Sequence, residues 1–206
     1  MLKSFLIPAE QADSKRVLVM LHGLGDSVQG YLWLPEALRL QWLNYVLVNA
    51  PDEYFGGWSW YDFAGDMVPG VRRSREALFK VLDDLRARGF PTGQTSFGGF
   101  SQGCVMTMEV ACRYPHRLAG VVGISGYLCE PGTLMKELAP VAPQQRVLLT
   151  HGRYDPLLPI TRSREHAEML RAAGLNVSWR EFDKDHTIVE DELDVIREFL
   201  KAGYAD

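Results

Sequence analysis

Short apolar runs alternate with amphipathic stretches along almost the whole chain. "RVLVMLHG" (16–23) is four to six apolar residues ending in glycine, the pattern of a strand covered on both faces. "NYVLVNAP" (44–51), "TSFGGF" (95–100), "LAGVVGISG" (118–126), "RVLLTHG" (146–152) and "NVSWREF" (176–182) repeat that form. Nearly continuous apolar character in such runs predicts parallel strands. Between them lie helical periods. Leu78, Val81, Leu82 and Leu85 recur every three to four residues until Gly89 and Pro91 stop the pattern. Residues 161–173 form a second such segment, ended by Gly174, and Val189, Leu193, Ile196 and Leu200 mark a C-terminal one. The stretch from Gln102 to Arg113 differs. Its only charged residues are Glu109 and Arg113, which predicts a helix buried against the sheet. Strand alternating with helix predicts one open, mostly parallel α/β sheet with helices on both faces, formed by residues 1–206 as a single domain. Ligands of such sheets bind at the carboxyl ends of the strands.

Composition narrows the classes. The chain has 206 residues, enough for one α/β domain with a sizeable core. Its net charge is −4 and its basic residues are scattered, which argues against a nucleic-acid partner. No run approaches 18 apolar residues, so no integral membrane segment is expected. The N-terminal apolar run is short and lacks a cleavage pattern, unlike a signal peptide. Three irregularly spaced cysteines (Cys104, Cys112 and Cys129) do not form a disulfide framework, and no Cys/His cluster suggests a metal. A cytoplasmic protein without metal or cofactor is the expectation. The sequence gives no signal for oligomeric state.

The chemistry gathers around "GGFSQG" (98–103). Gly99-Phe100-Ser101-Gln102-Gly103 fits G-x-S-x-G between a strand and a helix, the context in which a sharp turn exposes a nucleophilic serine. Two glycines relieve the crowding such a turn creates. A serine hydroxyl needs a base. In this topology the chain order is nucleophile, acid, base. His186, in the "FDKDHTI" loop after the last predicted strand, suits that place better than His22, His116, His151 or His166. Asp155, in "HGRYDPLLP", is the favoured acid, over Asp183 and Asp185, which flank the base too closely. The expected oxyanion donors are the backbone N–H groups of Gln102 and of Leu24, in the glycine-rich loop His22 to Ser27, with His22 supporting that loop. Trp60 and Leu158 are candidates for an apolar wall around the substrate, Trp60 because the 51–67 connection is long and aromatic. The chain between about 125 and 146 is too short for a large lid.

"LHGLGDS", "GGFSQG", "HGRYDPLLP" and "DKDHTI", in this order and with "SWYD" (59–62), resemble the small carboxylesterases related to acyl-protein thioesterases and lysophospholipases, a family of the α/β-hydrolase fold. The likeness runs from about residue 17 to residue 200. It implies that Ser101, Asp155 and His186 form a triad and that Leu24 and Gln102 line the oxyanion hole. The expectation is a serine hydrolase that cleaves a small-molecule carboxylic ester of short to medium acyl chain; the alternatives are an acyl-protein thioesterase or lysophospholipase, or a non-catalytic ligand-binding member of the fold. The family often has a further glycine where this chain has Cys104, which is expected to be a small buried hydrophobe.

Overall fold

The computed structural model describes residues 2–204. The chain enters through strand β1 (Ser4–Ile7), β2 (Val17–Leu21), helix α1 (Leu34–Leu38) and β3 (Asn44–Val48). A small ribbon follows, β4 (Asp52–Tyr54) and β5 (Gly57–Ser59). Helix α2 (Met67–Ala87), β6 (Thr95–Phe100), α3 (Gln102–Arg113), β7 (Gly120–Ile124) and the short α4 (Pro131–Leu134) come next. The chain closes with β8 (Arg146–Gly152), α5 (Ile160–Ala172), β9 (Asn176–Phe182) and α6 (Glu190–Gly203).

Seven strands form one sheet in the order β1-β3-β2-β6-β7-β8-β9, parallel except for β1, which pairs antiparallel with β3. The predicted α/β sheet is therefore present. Every strand anticipated from an apolar run exists, and "TSFGGF", "RVLLTHG" and "NVSWREF" match their strands residue for residue. One apolar core, built with α2, α3 and α5, covers one face. A second, built with α1 and α6, covers the other.

The chain reverses its direction of travel across the sheet at β2. It moves to β3 on one side and then returns to β6 on the other. The loops leaving β2 and β6 thus diverge at a shared carboxyl end, the place where open α/β sheets form their crevice. Serine 101 leaves β6 there, beside the loop that leaves β2.

The sequence pattern did not anticipate the short helices α1 and α4, the edge strand β1 or the β4–β5 ribbon. The edge strand β1 is mostly exposed and short, so it carries no buried-strand signal. The β4–β5 ribbon has three residues on each side, too few for a period to show. Helix α2 also begins well before the apolar stripe at Leu78. Its N-cap is Asp66, whose side chain accepts a hydrogen bond from the Val68 N–H at 3.0 Å.

Candidate active site

The turn between β6 and α3 is strained. Ser101 sits at φ 55°, ψ −117°, outside the regions comfortable for a residue with a Cβ. The glycines around it are required by space. A Cβ at Gly99 would lie 2.3 Å from the Gly103 carbonyl oxygen, and one at Gly103 would lie 2.4 Å from the Leu21 carbonyl oxygen. The helix therefore starts in contact with the strands beneath it. The Ser101 N–H donates to the Ile124 carbonyl at 2.9 Å, which pins the turn to the end of β7.

Cys104 occupies this crowded layer because its neighbours make room. Cβ atoms at Gly123 and Gly126 would come within 2.8 and 2.6 Å of its sulfur. Burial pushes its thiol up to about 12, so it stays a neutral apolar filler.

Three side chains from three loops meet at the carboxyl edge of the sheet. The Ser101 hydroxyl lies 2.9 Å from His186 Nε2, and His186 Nδ1 lies 2.7 Å from Asp155 Oδ2. The carboxylate fixes the tautomer: Nδ1–H donates to Asp155, which leaves Nε2 to accept from the serine hydroxyl. Asp155 Oδ1 is held in turn by the N–H groups of Leu157 at 2.9 Å and Leu158 at 2.8 Å. Burial would raise this carboxyl, but the Leu158 and Leu157 N–H groups and His186 outweigh it and hold it below the ordinary carboxylate range. The proline-rich "DPLLP" segment thus presents two backbone donors to its own aspartate. The rivals lie elsewhere: Asp183 pairs with Arg153 at 2.7 Å on the surface, and no hydrogen bond joins Asp185 to the imidazole.

The loop leaving β2 lies against the serine. A Cβ at Gly23 would be 3.4 Å from Ser101 Cβ. Among the described residues, neither the Leu24 nor the Gln102 N–H donates to a protein acceptor. His22 is buried and supports the loop: Nε2 accepts from the Ala50 N–H at 3.0 Å, and Nδ1 faces the Gly23 carbonyl at 2.6 Å. Burial lowers its pKa, in keeping with a neutral ring.

Trp60 requires a correction. It is fully buried and does not line the cleft. Its indole N–H donates to the His22 carbonyl at 2.9 Å, and its ring lies 5.5 Å from the His22 ring. A large aromatic beside a polar carbonyl has been used here to brace the β2 loop from below. The Gln102 side chain joins the same brace. Its amide oxygen accepts from the Trp60 N–H at 3.0 Å and its amide nitrogen donates to the Tyr61 carbonyl at 3.1 Å. That side chain is therefore occupied by the 59–61 segment. The ribbon adds a third support, with Gly25 N–H donating to Trp58 O at 2.9 Å and Trp58 N–H to Asp26 O at 3.0 Å.

Leu158 does line the cleft, together with Leu24, Phe100, Ser101, Gln102 and His186. The cleft holds about 360 Å³. Tyr61, Phe63, Tyr127 and Leu157 complete its apolar wall: Tyr61 and Phe63 belong to the aromatic 51–67 connection, whereas Tyr127 and Leu157 were not singled out in the sequence. Phe63 and Leu157 are 62% and 68% exposed and stand at the mouth. Leu157 was the most legible of these, being the neighbour of Leu158 on a loop already assigned to the site.

A second buried histidine adjoins the acid. His151 Nε2 donates to the Leu158 carbonyl at 2.8 Å and lies 3.5 Å from Asp155 Oδ2. Its ring stacks on Trp179, and burial holds its pKa below the usual histidine range. His166 is a buried ring whose Nδ1 accepts from the Leu128 N–H at 3.0 Å.

Comparison with known proteins agrees in extent and in kind. The phospholipase/carboxylesterase family model matches residues 2–203. Acyl-protein thioesterase 1 of Schizosaccharomyces pombe is 31% identical over 182 residues, covering 82% of this chain and 81% of that protein. The crystal structure of esterase PE8 superposes with a TM-score of 0.89 at 28% identity, over 98% of both chains. Acyl-protein thioesterase 2 of Zea mays gives 0.83 at 25% identity, over 98% of this chain and 99% of that one. With a family match that spans nearly its whole length, the chain belongs to the phospholipase/carboxylesterase family and is a carboxylesterase-type serine hydrolase of the α/β-hydrolase fold.

Proposed function

We propose that Ser101, His186 and Asp155 carry out ester hydrolysis through an acyl-enzyme, on carboxylic esters of short to medium acyl chain. The observation that carries this is the unbroken hydrogen-bonded line from Ser101 Oγ through His186 to Asp155, at the wall of an apolar cleft.

In this scheme the Ser101 oxygen attacks the ester carbonyl while its proton passes to His186 Nε2. Asp155 keeps the ring oriented and stabilises the imidazolium, and its own low pKa keeps it ionised. The negative oxygen of the tetrahedral intermediate is received by the Leu24 and Gln102 N–H groups, which have no protein acceptor. The intermediate collapses, and His186 gives its proton to the departing alcohol. Water then repeats the sequence on the acyl-serine. Leu158 and the aromatic wall hold the acyl group, and about 360 Å³ suits a short to medium chain.

A thioester or lysolipid substrate is the second assignment. Relatives bearing the name acyl-protein thioesterase favour it, and the exposed Phe63 and Leu157 at the mouth could receive a longer chain. We place the protein in the cytoplasm, on the support of three unpaired, buried cysteines. No helix of the described residues is long and apolar enough to cross a membrane.

The test is turnover on a panel of short esters, long-chain thioesters and lysolipids, with the Ser101→Ala variant beside it. The expected result is highest kcat/KM on short to medium esters and a fall of about 10⁴- to 10⁶-fold in kcat on the substitution. Highest kcat/KM on long-chain thioesters transfers the assignment to the second substrate class. A variant that keeps full turnover removes Ser101 from the mechanism.

A further inference from the structure

Lys184 and Glu192 form an ion pair in which both side chains are wholly buried. The Lys184 ammonium reaches the two Glu192 carboxylate oxygens at 2.7 and 2.6 Å, the Thr187 carbonyl at 2.6 Å and the Ser125 hydroxyl at 3.3 Å. Each contact belongs to a different part of the site. Thr187 follows His186 directly. Ser125 follows Ile124, whose carbonyl holds the Ser101 N–H. Glu192 lies in the first turn of α6.

The main chain of Lys184 reaches the remaining loop. Its carbonyl accepts from the Tyr154 N–H at 3.1 Å, next to Asp155. It also passes so close to the end of β8 that a Cβ at Gly152 would lie 2.4 Å from that carbonyl oxygen. One residue therefore touches the supports of the serine, the acid and the base together.

Stability alone does not account for such a pair. Taking an ammonium and a carboxylate out of water costs several kcal/mol each, and apolar replacements of the pair are often neutral or stabilising. What apolar side chains could not do is hold the Thr187 carbonyl and the Ser125 hydroxyl at fixed points. We propose that Lys184, held by Glu192, is a positioning residue that sets the His186 imidazole against Ser101, so that in the folded protein its effect falls on kcat and not on substrate binding. This rests on the Ser101–His186–Asp155 scheme proposed above.

The experiment compares the parent with the double variant Lys184→Met/Glu192→Met, which leaves no unpaired charge behind. Active sites are counted by covalent titration with a fluorophosphonate, and kcat, KM and the phosphonylation rate are measured per titrated site. The expected result is a folded variant with kcat and phosphonylation rate both lowered about 10- to 100-fold, the scale of a misplacement near 1 Å, and KM within about 3-fold. Values of kcat and phosphonylation rate within about 3-fold of the parent overturn the proposal. If the double variant does not fold, Glu192→Gln replaces it: the amide fits the same space but gives the ammonium one acceptor in place of two and no counter-charge, so the hold on Lys184 is weakened. A lowered kcat at constant KM is again expected there, and an unchanged kcat overturns it. A parent that the reagent does not label at Ser101 overturns the underlying scheme, and the positioning role with it.

Discussion

Buried acids at the two ends of α3 have different surroundings. At the carboxyl edge of the sheet, Asp155 and Glu192 are sealed from water, and each holds a group next to the cleft. Farther along α3, about two turns from Ser101, Glu109 is almost as deeply buried. It pairs with Arg113 at 2.7 Å and Arg75 at 3.5 Å, and Arg113 continues to Glu137 at the surface. Burial pushes the Glu109 carboxyl up, and its two arginines only partly offset this. The first pair of acids fixes the loops that carry the proposed triad. The second fixes one helix against another, α3 against α2, where no cleft residue depends on it. Equal burial therefore does not mean equal function: what matters is which atoms the charge holds in place.

The largest effect that separates these regions is expected at Asp155. Asp155→Asn keeps the shape but offers His186 the wrong partner for its tautomer, so kcat should fall about 10⁴-fold with KM little changed. Steady-state kinetics on one short ester measures this, and a loss below 10-fold would remove Asp155 from the relay. At the other end, Glu109→Gln leaves Arg113 its surface partner Glu137 and should act on stability alone. A loss of about 1–3 kcal/mol in urea unfolding is expected, with kcat within 2-fold of the parent. A large loss of kcat with unchanged stability would erase the distinction between the two ends.

Much of this was legible in the chain because it depends on local patterns. Six short, mostly apolar runs marked the six parallel strands, and their alternation with helical periods marked their class. The elbow was readable because two glycines flank a serine at a strand–helix junction, and the structure shows that a Cβ at either would meet backbone oxygen. Asp155 and His186 followed from chain order and loop position. Trp60 was misplaced because an aromatic-rich loop looks the same whether its rings face substrate or core. The loop divides: Trp60 is buried away from the cleft, Tyr61 and Phe63 line it, and Phe55 is exposed. Lys184 was hidden for the opposite reason. "FDKDH" reads as a solvated, charged turn, and the partner eight residues on, Glu192, lies in the first turn of an amphipathic helix whose acids all look exposed. Only the fold shows that one acid of that first turn faces inward.

The smallest expected effect concerns pH. His22, His151 and His166 are all held below the ordinary histidine value by burial, so the unfolded chain binds protons that the folded one does not. Their contribution to stability is complete above about pH 6.5 and is lost as pH falls from there toward their folded values. Urea midpoints should therefore drop between pH 7.5 and 5.5. Asp155 adds a loss in the same direction only at lower pH, as the solution falls through and below the ordinary carboxyl range. A midpoint that rises on acidification from 7.5 to 5.5 would show that these rings are not kept neutral.

The most direct measurement is the site of covalent capture by a fluorophosphonate, read by intact mass and by peptide mapping. One adduct per chain is expected, on the Ser101 peptide of the parent, with none on Ser101→Ala and a rate slowed about 10³-fold or more in His186→Ala. An adduct that persists in Ser101→Ala, or a His186→Ala variant labelled as fast as the parent, would contradict a hydroxyl at 101 activated by the imidazole at 186.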